Sequence, residues 1–99
     1  MNSKENLPGH FNIYETQEMV DIYLNFHFGP SCLGVDNYPE ACAKLCIEKA
    51  KAHNIQTKRA LDLGCAVGRT TIDLASLFDE VIGIDFAAAL IKGAEKTLE

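Results

Sequence analysis

The forty residues from Ala60 to Glu99 constrain this chain more than the rest of it. Ala60-Leu61-Asp62-Leu63 is a short, nearly apolar run that reads as a buried strand. It passes directly into a turn of small residues, Gly64-Cys65-Ala66-Val67-Gly68. An amphipathic run follows through Phe78, and Val81-Ile82-Gly83-Ile84-Asp85 reads as a second strand ending on a carboxylate. Strand, glycine turn, helix and strand form one βαβ unit of a nucleotide-binding sheet. Two strands joined this way are expected to pair in parallel through a right-handed crossover. Near-continuous apolar strands are further expected to be covered on both faces.

The turn narrows the ligand. Gly64, Ala66 and Gly68 alternate, so one side of the turn carries at most a methyl group, and a ligand can come close to the backbone. The next helix would aim its free N–H groups at that ligand. A dinucleotide pyrophosphate wants G-x-G-x-x-G, but the third glycine would fall at Arg69. Asp62, two residues before the first glycine, would also meet a pyrophosphate with negative charge. A ligand that brings an amino group there suits it better. On the blander reading, Gly64 and Gly68 only allow a tight turn and Asp85 is a helix N-cap, but this leaves the pair of strand-end acids unexplained. Phe86, taken alone, reads as a core residue.

These residues carry a resemblance. Leu61-Asp62-Leu63-Gly64-Cys65-Ala66-Val67-Gly68 resembles the first motif of class I S-adenosylmethionine-dependent methyltransferases, D/E-x-G-x-G-x-G, with Ala66 in place of the middle glycine. Asp85, 21 positions after Gly64, matches the family's acid at the end of its second strand. The resemblance implies a Rossmann-like fold and S-adenosylmethionine as cofactor. It implies that Gly64, Cys65, Ala66 and Gly68 form the turn under the methionyl part and that Asp62 supports the amino end, directly or through water. It further implies that Asp85 accepts from the ribose hydroxyls while Phe86 flanks the adenine. More narrowly, Tyr14-Glu15-Thr16, Tyr23 to Gly29, Arg59 to Arg69 and Phe78 to Phe86 are similar to the methyltransferase domain of ovothiol synthases, which methylates an imidazole nitrogen of mercaptohistidine. That similarity implies that Tyr14 and His27 lie in the segment covering the cofactor.

Length limits how much of such an enzyme is here. A methyltransferase of this class needs well over ~150 residues, and this chain has 99. Leu98-Glu99 also resembles a cloning junction. The expectation is the N-terminal part of a methyltransferase: an irregular N-terminus over 1–15, with Met1 to Gly9 loose, then a methyltransferase portion over 16–99. Alone, it is expected to be inactive and to bind S-adenosylhomocysteine weakly or undetectably.

Two helices are expected before the motif. Thr16 can cap a run from Gln17 to about Phe28 in which Val20, Tyr23, Leu24 and His27 share a face. Met19, Ile22 and Phe26 make its other side apolar, which predicts burial around most of its girth. Gly29-Pro30 ends it. The second helix starts near Pro39 and runs to about His53, with Lys49 and Lys51 suiting its C-terminal dipole. Cys42 and Cys46, one turn apart, are expected to pack as small buried apolar groups. A metal site there with His53 lacks a paired CxxC, and no metal is expected. Cys65 is expected to pack behind the turn, although a helix N-terminus could instead activate its thiol.

Composition sets the remaining bounds. A net charge of −5 argues against nucleic acid. No apolar run reaches the ~20 residues of a membrane helix, and the thiols suit the cytoplasm. The partner expected is a small-molecule substrate. The alternative is a non-catalytic nucleotide- or adenosyl-binding α/β module. Two strands alone leave open edges, so either a dimer forms through the first strand or the N-terminal helices cover it; a compact monomer is slightly favoured.

Overall fold

The structure, a computed structural model, describes residues 12–30 and 34–99. The loose segment expected over 1–9 lies outside the described residues, and the described end of the 1–15 region holds a single 3-10 turn, Ile13–Glu15. Thr16 then starts α1 (Gln17–Phe28), its hydroxyl oxygen accepting from the Met19 N–H at 3.2 Å. Such a cap is worth about 1 kcal/mol. Gly29 closes the helix by donating its N–H to the Asn25 carbonyl.

Asn37 does two jobs at once. Its Oδ1 accepts from Glu40 N–H and so caps α2 (Tyr38–Ala52), while its Nδ2 donates to the His27 carbonyl at 2.7 Å. One amide thereby satisfies both the end of α1 and the start of α2. Then come β1 (Arg59–Leu63), α3 (Arg69–Leu74), β2 (Glu80–Ile84) and α4 (Ala88–Thr97). The described residues thus form an α/β fold of four helices and a two-stranded parallel sheet, with Arg59 opposite Glu80 and Leu63 opposite Ile84.

The α3 crossover is shorter than expected. The helix stops at Leu74, and i→i+3 bonds from Ala75, Ser76 and Leu77 carry the chain in turns to Phe78. Tightening of this kind satisfies the terminal carbonyls that an α-helix would leave free.

The core lies between α1, α4 and the β1–α3 turn: Val20, Ala66, Val67, Ala87 and Leu90, flanked by Tyr23, Leu24 and Phe28. The expected α1 face of Val20, Tyr23, Leu24 and His27 is the one that packs. Gly93 lets α4 approach it, since a Cβ there would lie 3.1 Å from Val20 Cγ1.

Three burial expectations are corrected. Ile22 and Phe26 are exposed, so α1 is buried along one stripe only. Cys46 is exposed and Cys42 half-buried, because α2 turns Pro39, Ala43 and Ala50 inward. The sheet is covered on one face only. Side chains alternate along a strand, and α3 packs on the face of Asp62 and Gly83, leaving Leu61, Leu63, Ile82 and Ile84 exposed on the other. Among the described residues no helix is long and apolar enough to cross a membrane.

Candidate functional site

Between β1 and α3 the backbone enters the left-handed region three times in five residues, at Gly64 (φ 72°), Ala66 (φ 51°) and Gly68 (φ 88°). An alanine there costs roughly 1–2 kcal/mol of steric strain, which the surrounding bonds must offset. The carbonyl of Ile84, at the end of β2, accepts from the N–H groups of Gly64 (2.7 Å) and Cys65 (3.0 Å). The carboxylate of Asp85 does more: Oδ2 accepts from Ala66 N–H and Oδ1 from Ala87 N–H, both at 2.9 Å. Asp85 therefore joins the strained turn to the entry of α4. The helix N-cap itself is Ala87, which has no side-chain cap; Asp85 stands two residues ahead of it. A reach across 74 residues supplies the missing acceptor, with Glu15 Oε1 taking the Ala89 N–H at 2.8 Å.

Two cavities meet at this turn and share Tyr23, Gly64 and Ala66. The first, about 290 Å³, is lined by Tyr14, Tyr23, Asp85, Phe86 and Leu90 as well as the turn. Gly64 borders it with open space, since a Cβ there would meet nothing within 4 Å. Phe86 is 89% exposed at its rim, so the core reading of this residue is corrected. The second, about 390 Å³, lies between α1, α2 and β1, with Phe26, His27 and Tyr38 on its walls and Asp62 and Cys65 at the turn. The structure divides the residues expected at one site between two cavities, with Tyr14, Gly64, Ala66, Asp85 and Phe86 around one and His27, Asp62, Gly64, Cys65 and Ala66 around its neighbour. Gly68 lines neither; it faces α4, where a Cβ would lie 3.3 Å from Ala94.

The polar groups of the second cavity are tuned by burial. His27 is 7% exposed, and its Nδ1 is buried with no hydrogen-bond partner among the described residues. Burial pushes its pKa below the ordinary value, helped by Arg69 and opposed by Asp62. Cys65 packs behind the turn as expected, and burial, with Asp62 and Asp85 adding negative charge, pushes its thiol pKa up. That is the opposite of activation for nucleophilic attack.

Arg69 is the residue whose role the sequence hides. It registers there only as a missing glycine, yet Nη1 donates to the His27 carbonyl at 3.0 Å, Nε to Asp73 at 2.8 Å, and Nη2 pairs with Glu40. Its guanidinium also lies over the Phe28 ring, 5.7 Å from the centroid. One side chain locks α1, α2 and α3 together behind the turn. A signal existed in the polar first turn of an otherwise apolar crossover, but its partners are 29 and 42 residues away.

Among the described residues no group of three or more His, Cys, Asp or Glu side chains is arranged to hold a metal ion. No protein-family model matches the chain, and comparison with curated proteins gives no match.

Proposed function

We propose that this chain is the S-adenosylmethionine-binding part of a small-molecule methyltransferase on a Rossmann-like plan. The observation that carries this reading is the joint placement of Asp85 and the Gly64–Ala66 turn around one cavity, with clear space above Gly64. Asp85 uses one lone pair of each oxygen on the backbone, and an ionised carboxylate has about four acceptor positions. It can therefore still receive the two vicinal hydroxyls of a ribose. Phe86 and Tyr14 offer aromatic surface for an adenine. On the far side of the turn, Asp62 borders the second cavity and could accept from an ammonium group there, so an elongated ligand would lie across the turn with one end in each cavity.

When bound, S-adenosylmethionine supplies an electrophilic methyl group on a sulfonium. Its transfer needs positioning more than acid–base help. This chain's residues would do the positioning: Asp85 holds the sugar end, Asp62 holds the amino end, and the bare backbone at Gly64 lets the ligand pass between them. The raised thiol pKa of Cys65 fits a packing role beside that path. By the narrower resemblance, the acceptor is an imidazole nitrogen of a mercaptohistidine-type substrate, and the cysteines suit a cytoplasmic enzyme.

Titration followed by amide NMR shifts tests this and detects even millimolar affinity. S-adenosylhomocysteine should move the amides of Gly64 to Gly68 and of Asp85, and NAD should not. Equal response to both would favour the non-catalytic nucleotide-binding module, and no response to S-adenosylhomocysteine would end the proposal. The chain alone should show no methyl transfer; turnover of labelled cofactor by the purified 99-residue chain would refute its reading as one part of an enzyme.

A further inference from the structure

The carboxylate of Asp62 does not stand free at the end of β1. Thr71, on the first turn of α3, donates its hydroxyl to Asp62 Oδ2 at 2.6 Å, within the range of a charge-assisted O–H···O⁻ bond. A hydroxyl has one proton to give, and in this arrangement Thr71 gives it to Asp62. The room for it comes from β2. A Cβ on Gly83 would lie 2.8 Å from Thr71 Oγ1 and 3.0 Å from Cys65 Sγ. The missing side chain on one strand thus lets a helix residue reach the acid on the other. Among the described residues Asp62 Oδ1 has no hydrogen bond, and Asp62 borders the larger cavity beside Gly64.

We propose that Thr71 is a positioning residue: it holds Asp62 by one oxygen and leaves the other for the ammonium group of an amino-acid-bearing ligand. This rests on the cofactor reading above. An ionised carboxylate can only accept, and an ammonium group has three donors, so the pair is matched in charge and in hydrogen bonding. A phosphate in the same place would be repelled. Gly83 supports the arrangement from behind by leaving the hydroxyl its space.

The test compares two ligands on the 99-residue chain by NMR titration. S-adenosylhomocysteine carries the amino-acid end; 5′-methylthioadenosine keeps the adenosyl thioether and lacks it. The wild-type chain should prefer the former. Thr71→Val, similar in shape without the hydroxyl, should weaken S-adenosylhomocysteine by about three- to tenfold, as expected for one lost hydrogen bond. It should leave 5′-methylthioadenosine within about twofold, and Thr71→Ser should restore the preference. Should Thr71→Val not fold, Thr71→Ala, favoured by helix propensity, carries the same expectation. Equal weakening of both ligands, or no rescue by serine, would make Thr71 merely structural and overturn the proposal. Equal wild-type affinity for the two ligands would overturn the ammonium link while leaving the adenosyl site intact. Failure of both ligands to bind the wild-type chain would overturn the cofactor reading itself, and this proposal with it.

Discussion

The two faces of the sheet invert the usual pattern. The face covered by α3 presents Ala60, Asp62, Val81 and Gly83, which are small or polar apart from one valine. The bare face presents Leu61, Leu63, Ile82 and Ile84, and Leu63 is 73% exposed. Apolar content alone would assign the cover to the second face. What decides is fit: Gly83 admits Thr71 and Cys65 at contact distance, and Asp62 finds a hydroxyl donor there. The covered face is held by specific shape and hydrogen bonds, and the bare face holds apolar surface with no cover among the described residues. Substitutions on the two faces should therefore differ sharply in effect.

The largest effect should come from Gly83→Val. The new side chain collides with Thr71 and Cys65, and overpacking of this kind typically costs 1–3 kcal/mol. Loss of the Thr71–Asp62 bond adds to it, for a total of about 3 kcal/mol read by denaturant unfolding. A cost below about 1 kcal/mol would mean that the covered face is loosely packed after all. Next comes Asp85→Ala, which removes the acceptor for two backbone N–H groups at the turn and at α4. A loss of about 2 kcal/mol is expected without any ligand, at roughly 1 kcal/mol per bond. Unchanged stability together with lost ligand binding would show that the acid serves only the ligand.

A smaller effect concerns pH. The folded-state pKa of His27 lies below its ordinary 6.5, so near and below that pH the unfolded chain binds a proton that the folded chain refuses. Stability from this group is fully present above the ordinary value and is lost as pH falls toward the folded one. Melting temperature should decline on acidification from neutrality, and His27→Leu should flatten that decline; an unaltered slope would mean that the ring is already solvated. The smallest effect should be Leu63→Ser on the bare face, within about 0.5 kcal/mol by denaturant unfolding. Sedimentation at several concentrations should show the serine variant associating no more than the wild-type chain. A cost above about 2 kcal/mol would mean that the bare face is buried in solution and would collapse the contrast between faces.

Local signals account for most of what the sequence made legible. Thr16, Gly29-Pro30, Pro39 and the small-residue turn mark element ends through backbone chemistry that acts within a few residues, and α1, the start of α2 and the end of β1 fall close to where these residues put them, while the end of α3, which none of them marks, does not. An acid near the end of each strand was legible from the residues, and the resemblance, by its spacing, made the two a pair. Which strand face would be covered was not, because a run such as Leu61-Asp62-Leu63 has the same pattern whether one side or both are packed. Nor could the sequence show that Asp85 bonds to the turn, that Glu15 serves α4, or that Gly83 makes room for Thr71. Each depends on residues brought together only by folding, across 19, 74 and 12 positions respectively. The cysteine expectation failed for a related reason: composition says that a free thiol is often buried, but the packing of Pro39, Ala43 and Ala50 decides which way α2 turns.

Arg69 has a consequence for how such a turn could change its ligand over evolutionary time. A dinucleotide fingerprint requires a small residue at that position. Here the position holds the guanidinium that ties His27, Glu40 and Asp73 together over Phe28. Arg69→Gly would allow the close helix–strand packing of that fingerprint and, in the same step, remove the contacts that fasten three helices to one another. Any lineage moving toward a pyrophosphate ligand would first have to build a second fastening for those helices. Until then the intermediate sequences would be poorly folded, and selection for foldedness alone would keep an arginine at the end of this turn.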